Sequence, residues 1–218
     1  YGDIFNMKYL QKCLPDAEFI NTSFQKIPRF VEEDITLIYM GPMTENMQEK
    51  VIDKLTPYTK KLKELINNGT IMLFTGNSME ILGEYIEKED GSKITGLSII
   101  PINAKRDMMN RFNCLFLGER KSYEIVGFKS QFTMCYGNNE NNYFAKSKKG
   151  IGLNRNSKFE GYEENNFIGT YLLGPILILN PEFTKEILIK MGVQEPKLAL
   201  EDDVIQAYKQ RLGEFNSI

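Results

Sequence analysis

The sequence predicts an α/β fold with a largely parallel central sheet flanked by helices and a β-rich C-terminal half. Two observations carry this. Short apolar runs alternate with amphipathic stretches over residues 35–83, the pattern of strands and helices wound into a parallel sheet. Beyond residue 95 the chain turns to repeated short β-type runs before two closing helices.

The elements follow in order. Leu10, Cys13 and Leu14 mark the packed face of a first helix. Ile35–Met40 is a compact apolar run of the buried-strand type, stopped by Gly41-Pro42. Thr44 is placed to cap a helix with its stripe on Met47, Val51, Ile52 and Leu55. Thr56-Pro57 restarts helix along Tyr58, Leu62, Leu65 and Ile66, and Asn67-Asn68-Gly69 ends it with left-handed-tolerant residues. Ile71–Phe74 forms the second buried strand, Thr75-Gly76-Asn77-Ser78 a tight turn, and Met79–Gly83 a helix. Ser78, or less strongly Thr75, is the expected cap of that helix.

Later strands are expected at 96–100, 113–117, 124–128, 132–135 and 167–172. The polar stretch 138–161 is expected to be a surface excursion of two short strands or a mobile loop, and its Lys146–Gly152 segment a solvated loop. Asn180-Pro181 opens a helix bearing Phe183, Ile187, Leu188 and Met191, and 198–212 forms the last helix. Glu201-Asp202-Asp203 suits the positive end of that helix dipole. No repeat or linker interrupts the chain, so one domain over 1–218 is expected.

Composition narrows the chemistry. The 218 residues carry 27 Lys plus Arg against 29 Asp plus Glu, a net charge of −2 that gives no attraction for nucleic acid. The chain has no His, so no imidazole serves as general base, proton shuttle or metal ligand. Cys13, Cys114 and Cys135 are too few for a disulfide framework or a four-ligand cage, and suit small packed side chains in a reducing cytoplasm. No metal or other cofactor is expected, nor is membrane insertion, since no apolar run nears the ~20 residues a span requires.

In parallel sheets ligands gather at the carboxyl ends of strands, which directs attention to 41–48 and 75–80. The elbow T-G-N-S-M-E-I-L-G at 75–83 and G-T-Y-L-L-G-P at 169–175, followed by Asn180-Pro181, resemble the class I glutamine amidotransferases of the cobyric-acid-synthase type. Within them the chain is most similar to the glutaminase subunits of lipid II isoglutaminyl synthase, which work beside a Mur-ligase-like subunit. Those proteins read G-x-C-G-G-Y-Q-L-L-G at the elbow and G-T-Y-L-H-G-P-x-L-x-x-N-P later. Tyr1-Gly2-Asp3 with Asn6 resembles their Y-G-D-R-G-N, which places a first strand upstream of the sequence, and Val126-Gly127-Phe128 resembles their V-G-F-E-N-H.

The resemblance puts Gly76 at the family's nucleophilic Cys and Leu173 at its catalytic His. Glycine carries no nucleophile and leucine moves no proton. Gly41-Pro42-Met43-Thr44 stands where the family has an oxyanion loop, and Pro42 has no N–H to donate. Lys129-Ser130-Gln131 replaces E-N-H, and Met109 or Arg111 falls where the family carries an Arg. The resemblance thus implies a subunit that has lost glutaminase chemistry, no enzyme by itself, acting by binding a ligase or synthetase. Its glutamine pocket would be lined by Gly41, Thr75, Gly76, Asn77, Ser78 and Gln131. Two alternatives stand beside this. One is an active amidotransferase with non-standard or partner-supplied groups, for which Ser78 and Thr75 offer hydroxyls. The other is a sensor of glutamine or a related small molecule.

Overall fold

The computed structural model describes residues 3–217. In chain order the regular elements are α1 (Ile4–Cys13), β1 (Leu37–Met40), α2 (Glu45–Leu55), α3 (Thr59–Asn67), β2 (Ile71–Thr75), β3 (Tyr85–Glu87), β4 (Lys93–Thr95), β5 (Asn103–Arg106), β6 (Phe112–Arg120), β7 (Tyr123–Gln131), β8 (Thr133–Tyr136), β9 (Ala145–Lys149), β10 (Phe159–Glu160), β11 (Tyr162–Glu164), β12 (Phe167–Thr170), α4 (Ile176–Leu179), α5 (Pro181–Lys190) and α6 (Glu201–Asn216). A buried 3₁₀ turn, Gly76–Leu82, follows β2.

The first sheet runs β1-β2-β12-β11. Its strands β1, β2 and β12 are parallel, with Leu37 opposite Ile71 and Phe167 opposite Met72. The strand period of two sends successive side chains to opposite faces. Met72, Phe74 and Phe167 join Ile52, Leu62 and Leu65 from α2 and α3 on one face. Ile71, Leu73 and Ile168 join Leu10, Ile176, Phe183 and Ile187 from α1, α4 and α5 on the other. Every residue of β2 is buried, as a central parallel strand requires.

The expectation of a largely parallel sheet is corrected: the strands are mixed. β11 pairs antiparallel with β12 across the two residues Asn165-Asn166, with Asn165 at φ 52°. A connection that short permits only antiparallel pairing, because parallel strands need a crossover of a dozen or more residues. A second sheet, β10-β9-β6-β7, is antiparallel throughout, and a third, β4-β3-β5-β8, has one parallel pair.

Helix signals behaved as their chemistry requires. Thr44 caps α2 by accepting the Met47 N–H, and Gly69 takes φ 103° just past the end of α3. Pro181 stands in the first turn of α5, and Glu201 at the start of α6 pairs with Lys185 at 2.7 Å.

Three local expectations are corrected. Residues 96–100 form no strand: the N–H groups of Gly96, Leu97, Ser98, Ile99 and Ile100 donate to carbonyls of residues 81–84. They thereby occupy the acceptors the 3₁₀ turn leaves open, and none is free for a ladder. The excursion 138–161 takes the two-strand form of its expectation, supplying β9 and β10, but Lys146–Gly152 is no solvated loop, because it carries most of β9, which lies inside the second sheet. The helix expected at 79–83 is a 3₁₀ turn that begins at Gly76.

Candidate functional site

β2 delivers the chain to its carboxyl end at Thr75 and must reverse it there. Gly76 makes the reversal with φ 63°, a left-handed conformation that costs a residue bearing a Cβ about 1–2 kcal/mol. A Cβ built on Gly76 would lie 2.7 Å from Pro42 Cβ and 3.4 Å from Leu173 Cδ2. The two positions singled out by the motifs therefore meet, although they lie far apart in sequence, and Pro42 closes over them. Leu173 is fixed by a bridge to Phe128, accepting its N–H at 3.4 Å and donating to its carbonyl at 2.9 Å. A cleft of about 120 Å³ adjoins that bridge, lined in part by Gly127, Phe128 and Gly174.

The remaining expected pocket residues divide by what they hold. Asn77 uses both ends of its amide on Met43, accepting the backbone N–H at 2.9 Å and donating to the carbonyl at 2.8 Å. It locks the 41–44 loop onto the elbow. Ser78 caps nothing. Its Oγ lies 2.8 Å from the carbonyls of both Met40 and Thr75, tying β1 to β2. Thr75 is no cap either: its Oγ1 is buried at 3.0 Å from the Tyr39 hydroxyl.

Tyr39 collects the polar groups at this end of the sheet. Asn6 donates to its hydroxyl at 3.0 Å, and the hydroxyl reaches the Asp3 carbonyl at 3.1 Å. Burial raises the Asp3 carboxyl to about 6. Gly41 borders the same cluster, a Cβ there falling 3.3 Å from the Tyr39 hydroxyl oxygen. Tyr1 and Gly2, the other members of that motif, lie outside the described residues.

Gln131 stands apart from these contacts. Its amide nitrogen donates to the Thr133 carbonyl at 2.6 Å, and its Oε1 is buried without a partner. Met109 is 85% exposed in the β5–β6 connection, and Arg111 lies over the Phe132 ring at 5.1 Å. Among the described residues no group of three or more Cys, Asp or Glu is arranged to hold a metal.

Beneath the elbow lies a buried polar network that the motifs did not disclose. Glu80 accepts from Tyr171 Oη at 2.7 Å and from Gln48 Nε2 at 2.8 Å. Gln48 also donates to the Asn77 carbonyl and accepts from Arg106 at 2.8 Å. Cys135 Sγ lies 3.0 Å from the Tyr171 hydroxyl. A second buried carboxylate, Glu160, accepts from Thr170 Oγ1 at 2.9 Å and from the Tyr171 N–H at 2.8 Å, and is paired with Lys129. The 169–174 segment that carries Leu173 is thus held by two buried acids. The one sequence signal was a Glu at position 80 among Met79, Ile81 and Leu82, a charge where the pattern is otherwise apolar.

Residues 1–180 match the family described as the CobB/CobQ-like glutamine amidotransferase domain. The chain is 28% identical to the lipid II isoglutaminyl synthase (glutamine-hydrolyzing) subunit GatD of Staphylococcus aureus (strain N315), over 84% of this chain and 77% of that protein. It is 22% identical to the subunit of the same name from Streptococcus pneumoniae (strain ATCC BAA-255 / R6), over 94% of this chain and 80% of that protein. A solved crystal structure of a glutamine amidotransferase aligns with TM-score 0.46 and 11% identity, covering 72% of this chain and 80% of the other. These relatives correct the expectation of a protein that is no enzyme: both curated ones are subunits of a glutamine-hydrolysing synthase, and nothing among them supports inactivity. With its elbow at Gly76 on the parallel strands and its 169–174 segment packed beside it, the chain belongs to the CobB/CobQ-like glutamine amidotransferase family.

Proposed function

We propose that this chain is the amidotransferase subunit of a glutamine-dependent ligase or synthetase, supplying ammonia from glutamine with cleaving groups that a partner contributes. The family match over residues 1–180 and the two glutamine-hydrolysing relatives support the reaction class. One observation carries the partner-supplied part. Gly76, Leu173 and Pro42 converge where the family's nucleophile and base belong, and none of the three has a group that attacks a carboxamide or carries its proton. In this reading Gly41, Thr75 and the Tyr39 cluster form the polar floor of a glutamine pocket. The partner resembles a Mur ligase, as those of similar subunits do, and the complex works in the cytoplasm.

Affinity capture of the tagged protein from its native cells tests the assembly. A ligase-type protein recovered in stoichiometric amount is the expected result. Recovery of the chain alone, under conditions that preserve known synthetase complexes, would remove the subunit reading.

A further inference from the structure

Glu80 is fully buried in the elbow, yet no cation among the described residues touches it. Its neighbours come from every element packed around it. From α2 come Gln48, in contact, and Glu45 at longer range; from β5 comes Arg106, reaching it through Gln48. Tyr171 contributes its hydroxyl after β12, and Cys135 of β8 lies one bond further on. The Lys129–Glu160 pair sits under the same Tyr171, with Lys129 Nζ 5.5 Å from the ring centroid. In the resembling glutaminase subunits this elbow position is Gln, which has no proton to exchange near neutrality.

We propose that Glu80, Tyr171 and Cys135 form a proton-dependent hydrogen-bond switch linking the elbow to the segment that carries Leu173 and to β8. With Glu80 ionised, Tyr171 donates to Oε1 and the Cys135 S–H donates to the Tyr171 oxygen. When a solvent proton binds Oε1, the new O–H donates to the Tyr171 oxygen, the Tyr171 O–H swings to Cys135 Sγ, and the S–H turns away. Only the O–H bond on Glu80 is made or broken. Oε2 keeps its bond from Gln48 in both states, so neither form leaves the buried carboxyl unsatisfied.

Burial raises the Glu80 carboxyl from 4.5 to about 7, against the opposing bonds from Tyr171 and Gln48 and the charge of Arg106. The folded state thus holds the proton more tightly than the unfolded one. The associated stability is full below pH 4.5 and is lost as pH rises to about 7.

The test is a pH titration of the full chain labelled with ¹³C at glutamate side-chain carboxyls, followed by NMR. One resonance is expected to titrate with a midpoint about 7, to be absent in Glu80→Gln, and to move to a higher midpoint in Tyr171→Phe, which loses the donor that stabilises the ionised form. A wild-type spectrum in which every glutamate titrates below about pH 5.5 overturns the proposal, and it needs no variant to fold. A Tyr171→Phe midpoint equal to that of the wild type would leave Glu80 outside any relay and overturn it equally. Neither result depends on glutamine cleavage.

Discussion

Lys129→Met is expected to lower the unfolding free energy by about 3–5 kcal/mol, the largest effect of any single substitution considered. Both partners of the Lys129–Glu160 pair are at 0% exposure, so removing the ammonium leaves a carboxylate in the core with no counter-charge and no water. The carboxylate cannot turn outward, because its other oxygen is held by Thr170 Oγ1 and the Tyr171 N–H. Lys129 Nζ also donates to the Gly152 carbonyl at 2.5 Å, which would lose that donor. The double variant Lys129→Met with Glu160→Gln keeps an acceptor for Thr170 and Tyr171 while removing the charge. It is expected to recover most of the loss. Denaturant midpoints of the single and double variants measure the difference. Equal destabilisation in both would mean that packing at position 129, and not the stranded charge, sets the cost.

Gly76→Cys is expected to destabilise the fold by about 2–5 kcal/mol, from two separable causes. The first is backbone strain: at φ 63° any residue with a Cβ costs about 1–2 kcal/mol. The second is overlap with Pro42, whose Cβ lies 2.7 Å from where the new Cβ would be. Relieving such overpacking by backbone shift costs about 1–3 kcal/mol. Adding Pro42→Gly removes the second cause and leaves the first, so the double variant recovers part of the stability and not all of it. Thermal unfolding of the three proteins checks this, and a Gly76→Cys protein as stable as the parent would show that the 41–44 loop yields freely. Pro42 packs over the elbow where a side chain on position 76 would stand, so a thiol placed there meets the proline ring.

The core strands and the elbow were legible because their chemistry is local. Ile71–Phe74 is a short apolar run between turn residues, the pattern of a buried strand, and Thr75-Gly76-Asn77 carries a turn signal at its end. The pairing of position 76 with 173 was legible from the order of motifs, and the structure places the two side by side. What stayed hidden depends on contacts between distant segments. Gly96–Ile100 has strand composition, but its N–H groups are drawn to the elbow's open carbonyls, and no local pattern records that. The antiparallel arrangement of β11 follows from the Asn165-Asn166 turn, which is visible only once both flanking runs are read as strands.

The candidate site divides in the same way. Ser78 has the sequence of a cap, yet its O–H points to backbone carbonyls, because β1 and β2 bring those of Met40 and Thr75 within its reach. Asn77 fastens Met43, a contact between distant segments that no local pattern announces. Lys129 and Glu160, 31 residues apart, and Glu80 and Tyr171, 91 apart, are polar residues whose burial no hydrophobic period announces.

If the chain serves glutamine cleavage within a complex, as proposed, the amide nitrogen itself can be followed. The native complex is supplied with glutamine labelled with ¹⁵N at the side-chain amide, and released ammonia and ligase product are read by mass spectrometry. Label appearing in ammonia or product with the complex, and absent when either this chain or its partner is omitted, is the predicted result. Label that stays entirely in glutamine while the complex is intact and its partner is active on free ammonia would contradict it.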